Sequence, residues 1–514
     1  MFRLLKSHLL TFSLGLSLLA VYLAFRLPNL TLQPIFADEA IYIRWAQIMK
    51  SEPSLRFLPL SDGKTPLFMW MMMPLFKIFD DPLFAGRFLS ALAGVGTLSG
   101  VFILGWKFFN KSVGILSALF VAVTPYIVFF DRMALVDSML AAFSVWSLLL
   151  ALLLIRYQRI DLSLFLGYLL GGAMITKTPG FFNILVLPMT LITFNWFAKN
   201  RQLKLLKQFG LWIISVATAM GIYNILRLGP GFVNLNSRNQ DYIFSPERLL
   251  SNPLDPFIPH LNDILDWFPK LLTFPLSILL LISIFWVFYK RNLTAITILV
   301  WALIPLIIQM LLLKTFTARY ILFSMPPLLI VSAFALIDMV ATYKNKIKWF
   351  LPIFLGLFLS FAIMINSNFL FSPEKANLSK GERTGYFEDW TAGYGLKEIA
   401  QYLIDQSQKG LVVVGTEGSF GTLPDGLQIY LEKHAHTVPA GNQVIVMGGT
   451  ATISAQLLEA TKDHPTYFVA NKSRFNKTLP YLELVKEYPK FKGPNSEQDA
   501  ILLFKLNPQT KSNQ

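Results

Sequence analysis

The chain has 514 residues, 54% of them hydrophobic, and its mean hydropathy of +0.52 is too high for a soluble protein. It contains no Cys, which excludes disulfides, thiolate metal sites and cysteine nucleophiles. A net charge of +15 invites a nucleic-acid reading, but much of the basic charge lies in short gaps between apolar runs, where it marks the cytoplasmic side of a membrane.

The first apolar run, from Leu9 to Phe25, carries no charge and is followed by no small-x-small cleavage site. It reads as a retained first helix. A few residues later Asp38-Glu39 opens the amphipathic stretch Asp38 to Ala46. Two adjacent carboxylates beside a membrane are costly unless solvated, paired or used in chemistry, although Asp38 could simply cap the helix that follows. The Met-rich stretch 67–80 is apolar but short and is punctuated by Pro66 and Pro74, so it reads as a re-entrant or interfacial helix.

The candidate spans are 9–26, 85–106, 112–130, 137–155, 161–177, 180–198, 208–226, 271–289, 293–313, 320–340 and 349–370. With a cytoplasmic N-terminus, these eleven spans place every basic gap inside. Those gaps hold Arg3 and Lys6; Lys107 and Lys111; Arg156 and Arg159; Lys199, Arg201, Lys204 and Lys207; Lys290 and Arg291; and Lys344, Lys346 and Lys348. Charges of both signs then gather on the outer face: Asp38, Glu39, Arg44, Asp62 and Lys64, Asp131-Arg132 leading to Asp137, Arg238, Asp241 and His260, and Lys314 to Arg319. Trp45, Trp70, Tyr126, Trp267 and Tyr320 fall near outer span ends and read mostly as an interfacial belt.

Residues 371–514 change character. Leu411–Gly415, Val444–Val446, Pro465–Ala470 and Ala500–Phe504 read as strands. Gly395–Gln406, Gly426–Glu432 and Ser454–Lys462 have helical spacing. The alternation predicts a small extracytoplasmic α/β domain with a largely parallel sheet. Gly415, Gly418 and Gly421 lack the spacing of a dinucleotide loop and read as an ordinary loop. The fold class is thus a mainly α polytopic membrane domain over 1–370 followed by an α/β domain over 371–514.

Several short motifs resemble one known family. Phe36-Ala37-Asp38-Glu39-Ala40 resembles the Asp-Glu motif in the first outer loop of C-type (GT-C) glycosyltransferases. Within that superfamily, the likeness is to the bacterial branch with protein O-mannosyltransferases and the lipid A aminoarabinose transferase. Lys64-Thr65-Pro66-Leu67, Ala85 to Gly94, Arg132 to Asp137, Thr176-Lys177-Thr178-Pro179 and Arg319-Tyr320 resemble further motifs of that branch, in the same order. The resemblance implies sugar transfer from a polyprenyl-phosphate sugar to a protein, glycan or lipid acceptor on the outer face of the plasma (inner) membrane. It also implies that Asp38 is the base and that Asp137 helps shape the active site; by its position Asp137 could also pair with Arg132 or orient the acceptor.

The chemistry fits those residue types. An attacking hydroxyl needs a carboxylate to take its proton. A departing lipid phosphate needs Lys or Arg, here Lys64, Lys177 and Arg319. Glu39, Arg132 and Tyr320 are further substrate-binding candidates. In the aminoarabinose transferase branch, a Glu before the loop Lys and a His in the third outer loop contribute to a metal site. Here Gly63 stands in place of that Glu, so His260 alone is a weak metal candidate, and no cofactor is required. The rival reading is a transporter or flippase of lipid-linked sugars, but no internal repeat of the kind such proteins carry is evident.

Overall fold

The computed structural model describes residues 2–252, 254–343, 349–435, 443–449, 452–475, 477, 479–493 and 497–508. The predicted basic gap at Lys344, Lys346 and Lys348 lies outside the described residues, as do the side chains of Arg3 and Lys6. The chain divides into two compact units. The first comprises Met1–Leu30, Ser54–Trp70 and Arg87–Ser379; the second comprises Thr31–Pro53, Met71–Gly86 and Lys380–Gln514.

The first unit is helical. Six described helices are long and apolar enough to cross a membrane: Pro82–Phe108, Asp137–Tyr157, Arg201–Leu228, Leu293–Leu312, Ala318–Thr342 and Phe350–Phe371. Lys111–Val123 and Pro125–Asp131 would make a seventh span, bent by 57° where Pro125 removes a helix N–H. The other four predicted spans fall on shorter apolar helices: Ser13–Ala24, Ile160–Thr176, Thr178–Thr193 and Phe274–Tyr289. Leu67–Lys77 is likewise a short apolar helix, as Pro66 and Pro74 foretell.

Small residues let these helices approach closely, as they do in membrane bundles. A Cβ on Gly167 would lie 2.5 Å from the Thr218 Cβ, and one on Gly172 would lie 2.5 Å from the Phe143 ring. The helix Ile160–Thr176 is thereby wedged between its neighbours on both sides. Tyr22, Arg26 and Asp131 pin the first helix to the bent one. The Tyr22 hydroxyl donates to Asp131 Oδ2 at 2.9 Å, and Arg26 bridges that same oxygen at 3.2 Å. Arg26 also donates to the carbonyls of Ala122 and Val121, the very carbonyls that the break at Thr124 leaves without helical donors.

In the second unit, strand β1 (Ile35–Phe36) pairs antiparallel with β2 (Ala392–Gly393). Arg44 forms an ion pair with Glu432, Gln47 Nε2 donates to the Ile429 carbonyl at 2.9 Å, and Lys397 bridges Asp81 at 2.6 Å. These contacts explain why segments 31–53 and 71–86 fold with the C-terminal residues.

The main sheet contains β3 (Val412–Thr416), β4 (Val444–Gly448), β5 (Thr466–Asn471), β6 (Leu482–Pro489) and β7 (Ala500–Leu506), in the order β4-β3-β5-β7-β6. The pairs β3–β4 and β3–β5 are parallel, as expected. The pairs β5–β7 and β6–β7 are antiparallel, so the sheet is mixed rather than largely parallel. The missed strand is β6. Its sequence, Leu-Glu-Leu-Val-Lys-Glu-Tyr-Pro, is charged and mostly exposed, as suits an edge.

Lys490 anchors this unit. It is fully buried, and its Nζ donates to Asp499 Oδ2 at 2.9 Å, to Asn471 Oδ1 at 2.6 Å and to the Asp389 carbonyl at 2.9 Å. Burial raises the Asp499 pKa, but the attraction of Lys490 and backbone hydrogen bonds outweigh it and hold the carboxyl below its ordinary value. The stability Asp499 adds is therefore present above the unfolded-state carboxylate pKa and lost as pH falls through the lower folded one. Removing one partner strands the other charge, so Lys490→Met should destabilise the unit by about 3–5 kcal/mol. Hydrogen exchange of the β5 and β7 amides measures this, and unchanged protection would show that the pair is dispensable.

Candidate functional site

Asp137 opens the helix Asp137–Tyr157 and is only 3% exposed. Lys177 sits at the end of the helix Ile160–Thr176, in an extended conformation. There the chain leaves the helix and enters the turn Thr178–Phe181. Gly180 makes that turn feasible, because a Cβ would lie 2.3 Å from the Ala173 carbonyl. The geometry carries Lys177 Nζ to 2.6 Å from Asp137 Oδ1, a short charge-assisted hydrogen bond.

A third element completes the cluster. Arg319 and Tyr320 lie in the 3₁₀ turn Ala318–Ser324, which precedes the helix Met325–Thr342. Lys177 Nζ lies 4.4 Å from the Tyr320 ring centroid, and the Arg319 guanidinium lies 5.2 Å from the same centroid. Tyr126 fixes this turn from below by donating to the Ala318 carbonyl at 2.5 Å. One carboxylate, two cations and an aromatic ring, from three segments far apart in sequence, are thus brought together within the first unit. Such a group can hold a phosphate while the carboxylate sets the position of one cation.

Lys64 lies in the segment Ser54–Trp70 of the first unit. Leu60 and Ile175 belong to one apolar cluster with Leu226 and Leu235, and Leu67 packs against it. Lys64 Nζ lies 3.4 Å from Asp62 Oδ2, and Asp62 in turn faces Arg238 at 3.6 Å. Gly63 lies between them with φ +65°, and a Cβ there would stand 2.4 Å from the Arg238 Cβ. This glycine thus makes room for the Arg238 stem.

Several sequence-based assignments change. Asp137 pairs with Lys177 and not with Arg132. Arg132 is 3% exposed and donates to the backbone carbonyls of Arg26, Pro28 and Asn29 at 2.7, 2.9 and 3.0 Å. It holds the chain leaving the first helix. Asp131 serves Arg26 and Tyr22, as described above. His260 is buried, its Nδ1 lies 2.8 Å from the Met310 carbonyl and its ring packs on Phe316. No group of three or more His, Cys, Asp or Glu residues able to hold a metal occurs among the described residues. Tyr126 and Trp267 are buried and packed, so they are not belt residues.

In the second unit, Glu39 is fully buried, and its Oε2 accepts the Phe36 N–H at 2.9 Å. It satisfies the free backbone N–H at the start of the helix Ala37–Ser51, a structural task beside the substrate-binding role expected of it. The residue at the cap is Phe36, so Asp38 is not the N-cap. Asp38 lies in the first turn and is partly exposed.

Buried polar atoms that sequence reasoning missed also lie near the Tyr320 turn. Gln309 Oε1 and Nε2, Thr317 Oγ1 and Ser324 Oγ have no hydrogen-bond partner among the described residues. The helix bearing Gln309 packs against the turn bearing Arg319 and Tyr320. In sequence, Gln309 is a single amide inside an apolar run, which gives no signal of a site.

Residues 63–224 match the family model described as dolichyl-phosphate-mannose-protein mannosyltransferase. The match spans Lys64, Arg132, Asp137 and Lys177 but neither Asp38 nor Arg319. No curated protein sequence matches the chain. Among solved structures, ArnT from Cupriavidus metallidurans bound to undecaprenyl phosphate aligns with a TM-score of 0.57 at 14% identity, covering 98% of this chain and 99% of that one. The apo form of the same protein gives a TM-score of 0.54 at 16% identity, covering 99% and 100%. The oligosaccharyltransferase of Archaeoglobus fulgidus, in complex with zinc and sulfate, gives 0.51 at 12% identity, covering 96% of this chain and 73% of that one. The chain therefore has the fold of these proteins, and it resembles the GT-C membrane glycosyltransferases to which its motifs pointed.

Proposed function

We propose that the chain is an integral-membrane glycosyltransferase. It moves a sugar from a polyprenyl-phosphate carrier to an acceptor hydroxyl on the outer membrane face. The observation that carries this reading is the group formed by Asp137, Lys177, Arg319 and Tyr320, in a chain whose residues 63–224 match a family of sugar transferases with lipid-phosphate donors. A structural relative that has undecaprenyl phosphate bound supports the same donor class.

In the proposed reaction Asp38 accepts the acceptor hydroxyl proton. The oxygen attacks the anomeric carbon, a new C–O bond forms and the bond to the phosphate oxygen breaks. The electron pair leaves with the polyprenyl phosphate. Lys177 and Arg319 stabilise the charge that develops there. Asp137 holds Lys177 in place. A single displacement inverts the anomeric centre.

The test uses purified chain, a polyprenyl-phosphate sugar and candidate acceptors. Release of free polyprenyl phosphate with sugar on the acceptor supports the reading. Movement of intact lipid-linked sugar across a vesicle membrane, with no release, would overturn it in favour of a flippase.

The orientation is part of the proposal. The Asp137–Tyr157 helix spans about 30 Å at 1.5 Å per residue and carries Asp137 at one end and Arg156 at the other. The basic gap is thus separated from the proposed phosphate group by a membrane thickness. A reporter fused after Gln514 should be active only outside the cytoplasm. Cytoplasmic activity would refute the eleven-span arrangement.

A further inference from the structure

A cavity of about 550 Å³ opens at the Arg156 end of the Asp137–Tyr157 helix. Its wall carries Arg156 and Lys204 together with Gln158, Thr193 and Thr294, and no carboxylate lines it. Leu152, Ile155 and Phe194 form its buried floor. The nearby Arg159 is already engaged, donating to both oxygens of Asp161 at 3.0 and 2.6 Å. Arg156 and Lys204 have no carboxylate partner among the described residues. Gln158 Nε2 and Thr193 Oγ1 donate to the carbonyls of Lys204 and Thr190, which leaves the Arg156 guanidinium, the Lys204 ammonium and the Thr294 hydroxyl around the hollow, a set that suits a phosphate group.

The surroundings indicate what carries that phosphate. Phe197 is fully exposed, and Tyr157, Ile160 and Leu203 are also exposed near these cations in sequence. Large apolar side chains beside a cationic hollow fit a headgroup whose acyl chains lie against the protein. The hollow draws on residues 108, 152, 155–158, 193–195, 204 and 294, segments beside the predicted basic gaps.

We propose that this cavity binds the phosphate headgroup of an anionic membrane lipid, at the opposite end of the Asp137–Tyr157 helix from the Asp137–Lys177 pair. The site is independent of sugar transfer. The full chain is placed in nanodiscs of phosphatidylcholine with and without phosphatidylglycerol. Retained lipid is counted by native mass spectrometry, and the melting temperature is followed.

Phosphatidylglycerol should be retained preferentially and raise the melting temperature. The double variant Arg156→Gln/Lys204→Gln should weaken retention by about tenfold or more, since each lost contact is a hydrogen bond to a charged group. Arg159→Gln should retain the lipid. The single variants at these exposed positions guard against loss of folding. A melting shift produced by inorganic phosphate in detergent, lost in the double variant, would support the site and assign it to a free phosphate. Equal retention by wild type and the double variant, or no preference over phosphatidylcholine and no response to phosphate, would overturn the proposal.

Discussion

Asp38→Asn should lower sugar transfer by about 10²–10⁴-fold, the usual loss when a general base is removed. The neighbouring carboxylate provides the contrast. Glu39 is buried, and its Oε2 already accepts the Phe36 N–H. A glutamine can still accept that bond, so Glu39→Gln should keep the helix start and most of the activity. Glu39→Ala should instead act through stability, at about 0.5–2 kcal/mol for a lost cap. Single-turnover assays with a polyprenyl-phosphate sugar separate the two positions. Activity of Asp38→Asn within threefold of wild type would exclude Asp38 as the base, and equal losses in Asp38→Asn and Glu39→Gln would show that the motif acts as a structural unit.

The features legible in the sequence were those with a period or a punctuation mark. Apolar runs bounded by Lys and Arg located the helices, and Pro66 and Pro74 shortened the Met-rich one. The β-branched run at Val412–Val414 announced a buried strand, whereas in β6 the pairs Leu484-Val485 and Lys486-Glu487 break the period-2 alternation that would mark a strand. Partnerships were less legible. Nothing in Arg132-Met133-Ala134-Leu135-Val136-Asp137 says that the arginine turns to the carbonyls of residues 26–29 while the aspartate reaches a lysine forty residues away. Burial decides this. A cation among carbonyls left open at a helix end is satisfied in place, so Asp137 was left for Lys177. Likewise the Asp-Glu pair reads as two equivalent carboxylates until the helix start shows that one of them caps it.

Lys177→Ala should weaken polyprenyl-phosphate binding more than Lys64→Ala does. Lys177 is held from two sides, by Asp137 at 2.6 Å and by the Tyr320 ring at 4.4 Å. Its removal takes away one phosphate contact and also leaves the 3% exposed Asp137 carboxylate uncompensated, where it repels the phosphate. Lys64 faces Asp62, which is shared with Arg238, so its charge is partly spent before any ligand arrives. Arg319→Lys tests geometry at constant charge, because an ammonium cannot reproduce a bidentate guanidinium contact. A loss of about tenfold is expected, the worth of one charge-assisted hydrogen bond. Asp137→Asn removes the repulsion, so Lys177→Ala/Asp137→Asn should bind better than Lys177→Ala alone. Equilibrium binding of polyprenyl phosphate to each variant, together with turnover, measures all of these. Normal binding in Lys177→Ala, Arg319→Lys and Lys64→Ala would move the phosphate site elsewhere, and additivity in the Lys177–Asp137 cycle would show that the pair seen at 2.6 Å does not act on the ligand as a unit.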